Sequence, residues 1–281
     1  MELSSTEFDL LRKHIYSVCG LIIGDGKEYL IVHRLQHLLN EHSCKSWTEF
    51  YNLLCKKKGL LHDEVITAIN THETSFFRDL HPFNLIRDNI LPDLIKNKKK
   101  NKKIRIWCAA ASTGQEPYTL SMVIHDLLES TPFNTVKHDD FSILATDISE
   151  KIIEKAKEGL FSNLELSRGL PAKYKKYFSQ DNSQWKVSPL ISSIVTFKRF
   201  NLLESFRILG QFDFVLCRNV LIYFDDKTKL DIVHKIHSVL PEDGCLILGA
   251  TESLAGQTDK FASEHKGVAV LYRRKNKCNF R

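Results

Sequence analysis

The residues best suited to chemistry begin with a run of small ones, Ala109-Ala110-Ala111-Ser112-Thr113-Gly114, which closes an apolar stretch and leads into a helical pattern. Side chains this small leave the main chain bare, so a flat, bulky group can lie against the turn. Only one glycine is present. The three-glycine fingerprint that brings backbone amides onto a pyrophosphate is therefore missing, and a nucleoside without a diphosphate fits better. Asp147 ends "LATD". A carboxylate at the carboxyl end of a neighbouring strand can accept from both hydroxyls of a ribose, although alone it could equally cap the helix that follows. Asn201 in "FNLLE" and Arg218, Asn219 and Tyr223 in "LCRNVLIYFD" stand at two further strand ends. Buried without partners, such groups cost about 1–3 kcal/mol each, so they must meet one another, the backbone or a ligand.

The elements that hold these residues read as two modules. Ser4 with Glu7 forms a capping box, Phe8, Leu11, Ile15 and Val18 follow at helical spacing, and Gly20 is a stop. Ser46, Glu49 and Gly59 repeat the design, "EYLIVHRLQHLLNEH" places Leu35, Leu38 and Leu39 on one side, and "HDEVITAINTHETSFFRD" runs from helix into loop. We expect an all-α N-terminal domain over residues 1–75 and a linker with a connecting helix over 76–103. From Ile104 onward "IRIWCA", "FSILATD", "SIVTFKRFN", "FDFVLCRN", "CLILGA" and "VAVLYRR" read as strands, with helical patterns after the first, second and fourth. That alternation predicts an α/β, Rossmann-like domain over 104–281, with a mostly parallel sheet covered on both faces. The segment about 175–200 lacks a crossover helix and is expected to be a small antiparallel insertion.

Composition narrows the setting. The chain has 281 residues, 43% of them hydrophobic, and a formal charge of +6. An anionic partner would suit that balance, but much of the excess sits in "KNKKKNKK", residues 96–103, which reads first as a solvated connector. Seven cysteines show no C-x-x-C pair and no zinc spacing, which favours reduced structural thiols and no metal site. The first ten residues have no leader pattern, and no stretch approaches the roughly 20 apolar residues of a membrane span, so a soluble cytoplasmic protein without membrane insertion is expected. No repeat or heptad array is present, and a monomer is expected.

In order, "THETSFFRD", "WCAAASTGQEPYTL", "ATDIS", "NLL" and "FDFVLCRNVLIYFD" resemble the chemotaxis receptor methyltransferase family, CheR. The resemblance implies an S-adenosylmethionine-dependent methyltransferase that esterifies glutamate side chains on the cytoplasmic domain of transmembrane chemoreceptors and releases S-adenosylhomocysteine. It implies that Thr74, Arg78 and Glu116 surround the methionine end of the cofactor, with Ala110 in the bare turn and Asp147 on the ribose. Asn201 and Leu202 would lie near the adenine, Arg218 and Asn219 would line the pocket, and Tyr223 would stand beside the transferred methyl. His72 takes a place where the family commonly has Asn, adding a pH-dependent charge to the cofactor site. Arg34 is what remains of an arginine-bearing receptor-docking helix, and His33 and His37 beside it lack a third metal ligand. The insertion's loop "SQDNSQ" is short and without glycine, so a receptor tether is not expected to bind there.

The implied chemistry explains why no catalytic triad is visible. A glutamate with an ordinary pKa of about 4.3 is already ionised near neutrality and needs no general base. Holding two reactants in line can supply roughly 7–11 kcal/mol of the barrier. Arg78 and Tyr223 are therefore expected to orient the reactants rather than exchange protons. A nucleic-acid methyltransferase would share the cofactor half, but "RNVLIYF" lacks the Asn/Asp-Pro-Pro-aromatic turn of enzymes that methylate exocyclic amines, and no nucleic acid is expected. A catalytically silent S-adenosylmethionine-binding regulator is the other alternative; the full set of site residues speaks against it.

Overall fold

The structure is a computed structural model that describes residues 2–56, 59–100, 102–131 and 136–275; Cys278, and Asn101 within the lysine-rich stretch, lie outside them. Helix α1 (Ser5–Cys19) starts at the expected capping box and ends on Gly20 at φ 75°. It buries Phe8, Leu11 and Ile15, as its spacing predicts, and Cys19 in place of the expected Val18, which is half-buried. Helices α2 (Glu28–Glu41), α3 (Trp47–Lys56) and α4 (Leu60–Ile69) complete the N-terminal module. Their apolar faces meet around Leu35, Leu39, Trp47 and Phe50. A loop then leads to α5 (His81–Leu85), which passes through a π-helical turn (Ile86–Ile90) into α6 (Leu91–Lys96).

The second module contains β1 (Ile104–Ala109), α7 (Gln115–Ser130), β2 (Phe141–Asp147), α8 (Glu150–Glu158), β3 (Leu160–Ser162), α9 (Asn163–Ser167), β4 (Phe178–Asp181), β5 (Gln184–Val187) and α10 (Pro189–Ser192). It continues with β6 (Val195–Arg199), β7 (Phe214–Cys217), α11 (Asp226–Val239), β8 (Cys245–Leu248), β9 (Phe261–Lys266) and β10 (Ala269–Arg274). The main sheet has the order β6-β2-β1-β7-β8-β10-β9. Its first five strands are parallel, and β10 pairs antiparallel with both β8 and β9. Side chains alternate along β1: Ile104, Ile106 and Cys108 enter the core shared with α7 and α8, whereas Trp107 and Ala109 enter the core shared with α11. Both faces are thus covered, as the alternating sequence predicts. None of the described cysteines forms a disulfide, and no described helix is long and apolar enough to cross a membrane.

Two expectations need correction. The antiparallel insertion, expected at about 175–200, is built from β3, β5 and β4, so it begins at Leu160 and its last strand ends at Val187. The strand-forming run "VTFKR" is β6, which pairs in parallel with β2 in the main sheet. Strand propensity marks such a run without saying which sheet receives it. β9 has no strand signal in the sequence because, after the buried Phe261, "FASEHK" is mostly polar.

The two modules are clasped together. Arg199 donates from both terminal nitrogens to the Asp63 carboxylate, at 3.1 and 2.5 Å. Thr67 and Ser149 share a hydroxyl hydrogen bond of 2.6 Å, and the Ile22 amide donates to the Tyr223 carbonyl at 3.0 Å. The helical module therefore forms one wall of the space beyond the strand ends.

Candidate active site

At the carboxyl ends of β1, β2 and β7, where the strand order reverses about β1, lies a crevice of about 950 Å³ including its open mouth. This is the position at which open α/β sheets bind ligands. His72, Thr74, Arg78, Ala110, Glu116, Asp147, Asn201, Leu202, Arg218, Asn219 and Tyr223 all line it. Ala110 and Ser112 adopt left-handed backbone at φ 60° and 49°, as does Gly114 at 95°. Cβ-bearing residues rarely hold that conformation, so the turn is over-determined by its surroundings, including an Ala111 amide bond of 2.8 Å to the Thr146 carbonyl.

Asp147 is buried, and its carboxylate accepts from the Ser112 amide at 3.0 Å and the Ser149 amide at 3.2 Å. It thereby joins the bare turn to the end of β2. Helix α8 is capped by Ser149, whose Oγ accepts from the Ile152 amide, so capping does not account for Asp147. Burial raises the Asp147 pKa, and the backbone amides and the nearby His72 pull it back down. The His72 Nε2 donates to the Thr67 carbonyl at 3.0 Å, and its own carbonyl accepts from Ser112 Oγ at 2.9 Å. His72 thus pins the end of the helical module to the turn.

Arg218 has a side chain only 1% exposed. It donates to Glu116 at 2.7 Å, to Asp79 at 2.9 Å and to the Arg78 carbonyl at 2.8 Å. Its guanidinium lies 5.4 Å from the Phe83 ring centroid. One cation therefore fixes the first turn of α7 against the loop after α4. That loop needs fixing, because Phe77, Asp79 and Leu80 all have positive φ. Arg78 itself donates to the Glu73 carbonyl at 3.0 Å. Burial raises the Glu116 pKa, and Arg218 acts against that rise.

Sequence reading missed Glu252. Its carboxylate accepts from the amides of Asn219 at 2.7 Å, Val220 at 3.0 Å, Leu221 at 2.7 Å, Ile222 at 3.3 Å and Gly249 at 2.7 Å. This clamp sets the turn that carries Asn219, at φ 57°, and presents Tyr223. Tyr223 lines the crevice, half-buried. The only sequence signal for Glu252 was an acid just past a strand end in "GATES".

Two predicted residues are already engaged with backbone. Asn201 Nδ2 donates to the Val18 carbonyl at 2.8 Å, and its Oδ1 accepts from the Leu203 amide at 3.0 Å, while Leu202 is buried in the crevice wall. Arg34 does not line the crevice; it donates to the Ala68 carbonyl at 3.3 Å and the Asn70 carbonyl at 3.1 Å. It therefore braces the segment that leads to His72. No group of three or more His, Cys, Asp or Glu among the described residues could hold a metal ion.

Comparison with known proteins is consistent along the whole chain. Residues 6–71 match the family described as CheR methyltransferase, all-alpha domain, and residues 72–270 match CheR methyltransferase, SAM binding domain. The chain is 39% identical over 277 residues to chemotaxis protein methyltransferase 1 of Pseudomonas aeruginosa, covering 98% of this chain and 100% of that protein. It is 37% identical over 278 residues to a chemotaxis protein methyltransferase of Pseudomonas putida, with 98% and 100% coverage. To that of Vibrio parahaemolyticus it is 35% identical over 276 residues, with 97% and 98% coverage.

Proposed function

This chain belongs to the CheR methyltransferase family, and from that premise we propose that it methylates glutamate carboxylates on the cytoplasmic helices of chemoreceptors. It is an S-adenosylmethionine-dependent methyltransferase of chemotaxis. The observation that best supports the finer reading is convergence: residues from His72 to Tyr223, far apart in sequence, line one crevice at the sheet's switch point.

The crevice suits the cofactor. Its bare turn admits a flat group, and the Glu116 and Asp147 carboxylates suit a cationic ligand with a sugar diol. When bound, S-adenosylmethionine supplies an electrophilic methyl on a sulfonium. Asp147 accepts from the ribose hydroxyls while its two amide bonds hold it in place. Glu116, steadied by Arg218, faces the methionine end, and Leu202 covers the base. Asn201 contributes by fastening the adenine wall to α1. Arg34 braces residues 68–71. Arg78 and Tyr223 orient the incoming carboxylate, which arrives ionised and needs no base. The helical module walls one side of the crevice, so opposite charges that neutralise each other during transfer react in a less polar medium than bulk solvent.

Supplying methyl-labelled cofactor with receptor-containing membranes and then raising the pH tests this reading. Glutamyl methyl esters will release labelled methanol; label retained through base treatment would point to another acceptor. Tyr223→Phe and Arg78→Ala are each expected to lower turnover at saturating substrate by about 10²-fold, the scale of losing alignment by an ångström. Unchanged turnover in both would remove them from the mechanism.

Asp147→Asn keeps the shape but offers one acceptor oxygen where two amides already donate. Losing one charge-assisted hydrogen bond costs about 1.5–3 kcal/mol, so calorimetry should show cofactor affinity lower by roughly 10- to 100-fold. In the wild type, ribose donors favour the ionised carboxylate, so binding lowers a pKa that burial has raised. Affinity should therefore fall as pH drops from neutrality, starting above the ordinary carboxylate range, with protons released on binding. Affinity independent of pH down to that range would mean that Asp147 does not hold the ligand.

A further inference from the structure

A second cleft, of about 540 Å³, is lined by Glu73, Thr74, Ser75, Arg78 and Arg168. The first four of these also line the crevice at the strand ends, so the two spaces adjoin at this loop. Arg168 follows α9 in the antiparallel insertion, and its side chain is exposed. The fold places it beside the loop deliberately: at Gly169, φ 90°, a Cβ would stand 2.2 Å from the Phe76 carbonyl oxygen, so only glycine allows this approach. Among the described residues neither Arg168 nor Arg78 has a carboxylate within ion-pair distance, and the cleft's lining holds two arginines against one carboxylate, Glu73. A guanidinium held next to the reacting site with no internal partner is matched to an anion that comes with the substrate.

We propose that Arg168 is a substrate-specificity residue that binds a second carboxylate on the receptor helix, beside the glutamate that is methylated. This rests on the glutamate-methylation reading above and adds to it why an acidic neighbourhood is preferred. Exposed pairs of this kind are modest, so Arg168→Ala should raise the KM for a receptor cytoplasmic fragment about three- to fivefold. Arg168→Glu should raise it about tenfold, and Arg168→Lys should recover most of the loss. Turnover at saturation and cofactor affinity by calorimetry should stay at wild-type values in all three, which also reports that they are folded. High salt should shrink the differences. On a fragment whose acidic residues flanking the methylated glutamate are changed to glutamine, the wild type and Arg168→Ala should have the same KM. Wild-type transfer with a KM unmoved by Arg168→Ala and Arg168→Glu overturns this inference alone. Absence of any base-labile label with the wild type overturns the glutamate reading, and this inference with it.

Discussion

Arg218→Ala is expected to destabilise the protein by about 3–5 kcal/mol, the cost of removing one partner from a buried ion pair. The change strands Glu116, whose side chain is 13% exposed, and takes donors from Asp79 and the Arg78 carbonyl. The loop at 77–80 then loses what holds its positive-φ residues, and Arg78 moves with it. Chemical denaturation should show a lower midpoint with little change in slope, and cofactor calorimetry a weakened site. The pH dependence carries a sign. Burial already raises the Glu116 pKa, and without Arg218 that rise is less opposed. A carboxyl group whose folded pKa lies above its unfolded value penalises folding at high pH, and the penalty fades as pH falls through the folded pKa. The deficit of Arg218→Ala should therefore narrow on acidification from neutrality. Combining Arg218→Met with Glu116→Gln should recover part of the stability, because it removes the more buried stranded carboxylate and leaves only Asp79, whose side chain is 33% exposed and so partly solvated. A variant as stable as the wild type at every pH would show that the pair does not organise this loop.

Glu252→Gln, nearly isosteric, is expected to be almost as damaging. One carboxylate oxygen serves Asn219 and Gly249 and the other serves Val220, Leu221 and Ile222. A carboxamide has one acceptor oxygen, so at least two of these amides must face an NH₂ group. Each amide left unsatisfied costs about 1–3 kcal/mol, giving a loss of roughly 2–6 kcal/mol. Part of that loss can be relieved if the turn springs open, which would displace Asn219 and Tyr223. Turnover should then drop by about 10²-fold while the bulk of the sheet remains folded by circular dichroism. Glu252→Asp retains two acceptors on a shorter arm and should fall between. Wild-type turnover and midpoint in Glu252→Gln would mean that the clamp is incidental.

The residues that line the crevice are easier to read in the sequence than the groups that hold them in place. Asp147, Arg218, Asn219 and Tyr223 stand at strand ends, and a polar group directly after an apolar run is locally conspicuous. Asn201 was legible as a crevice residue, yet its bond to the Val18 carbonyl spans the two modules and leaves no local trace. The bracing contacts of Arg34 are equally silent in the sequence, because a helix pattern shows which face is polar, not what packs beside it; two carbonyls at the end of α4 accept from it. Glu252 acts through backbone amides, which have no sequence signature.

By itself the sequence determined the capped helices, the alternating strands, the bare turn and the set of polar strand ends, because short-range sterics and hydrophobic periodicity govern each of these over a few residues. Only the tertiary structure decided that β6 joins the main sheet, that Glu252 gathers five amides, and that Arg218 ties α7 to a strained loop. Those outcomes depend on which distant groups meet once strands are ordered and modules docked. Pairing of that kind is set by the packing of the whole chain, and no local window encodes it.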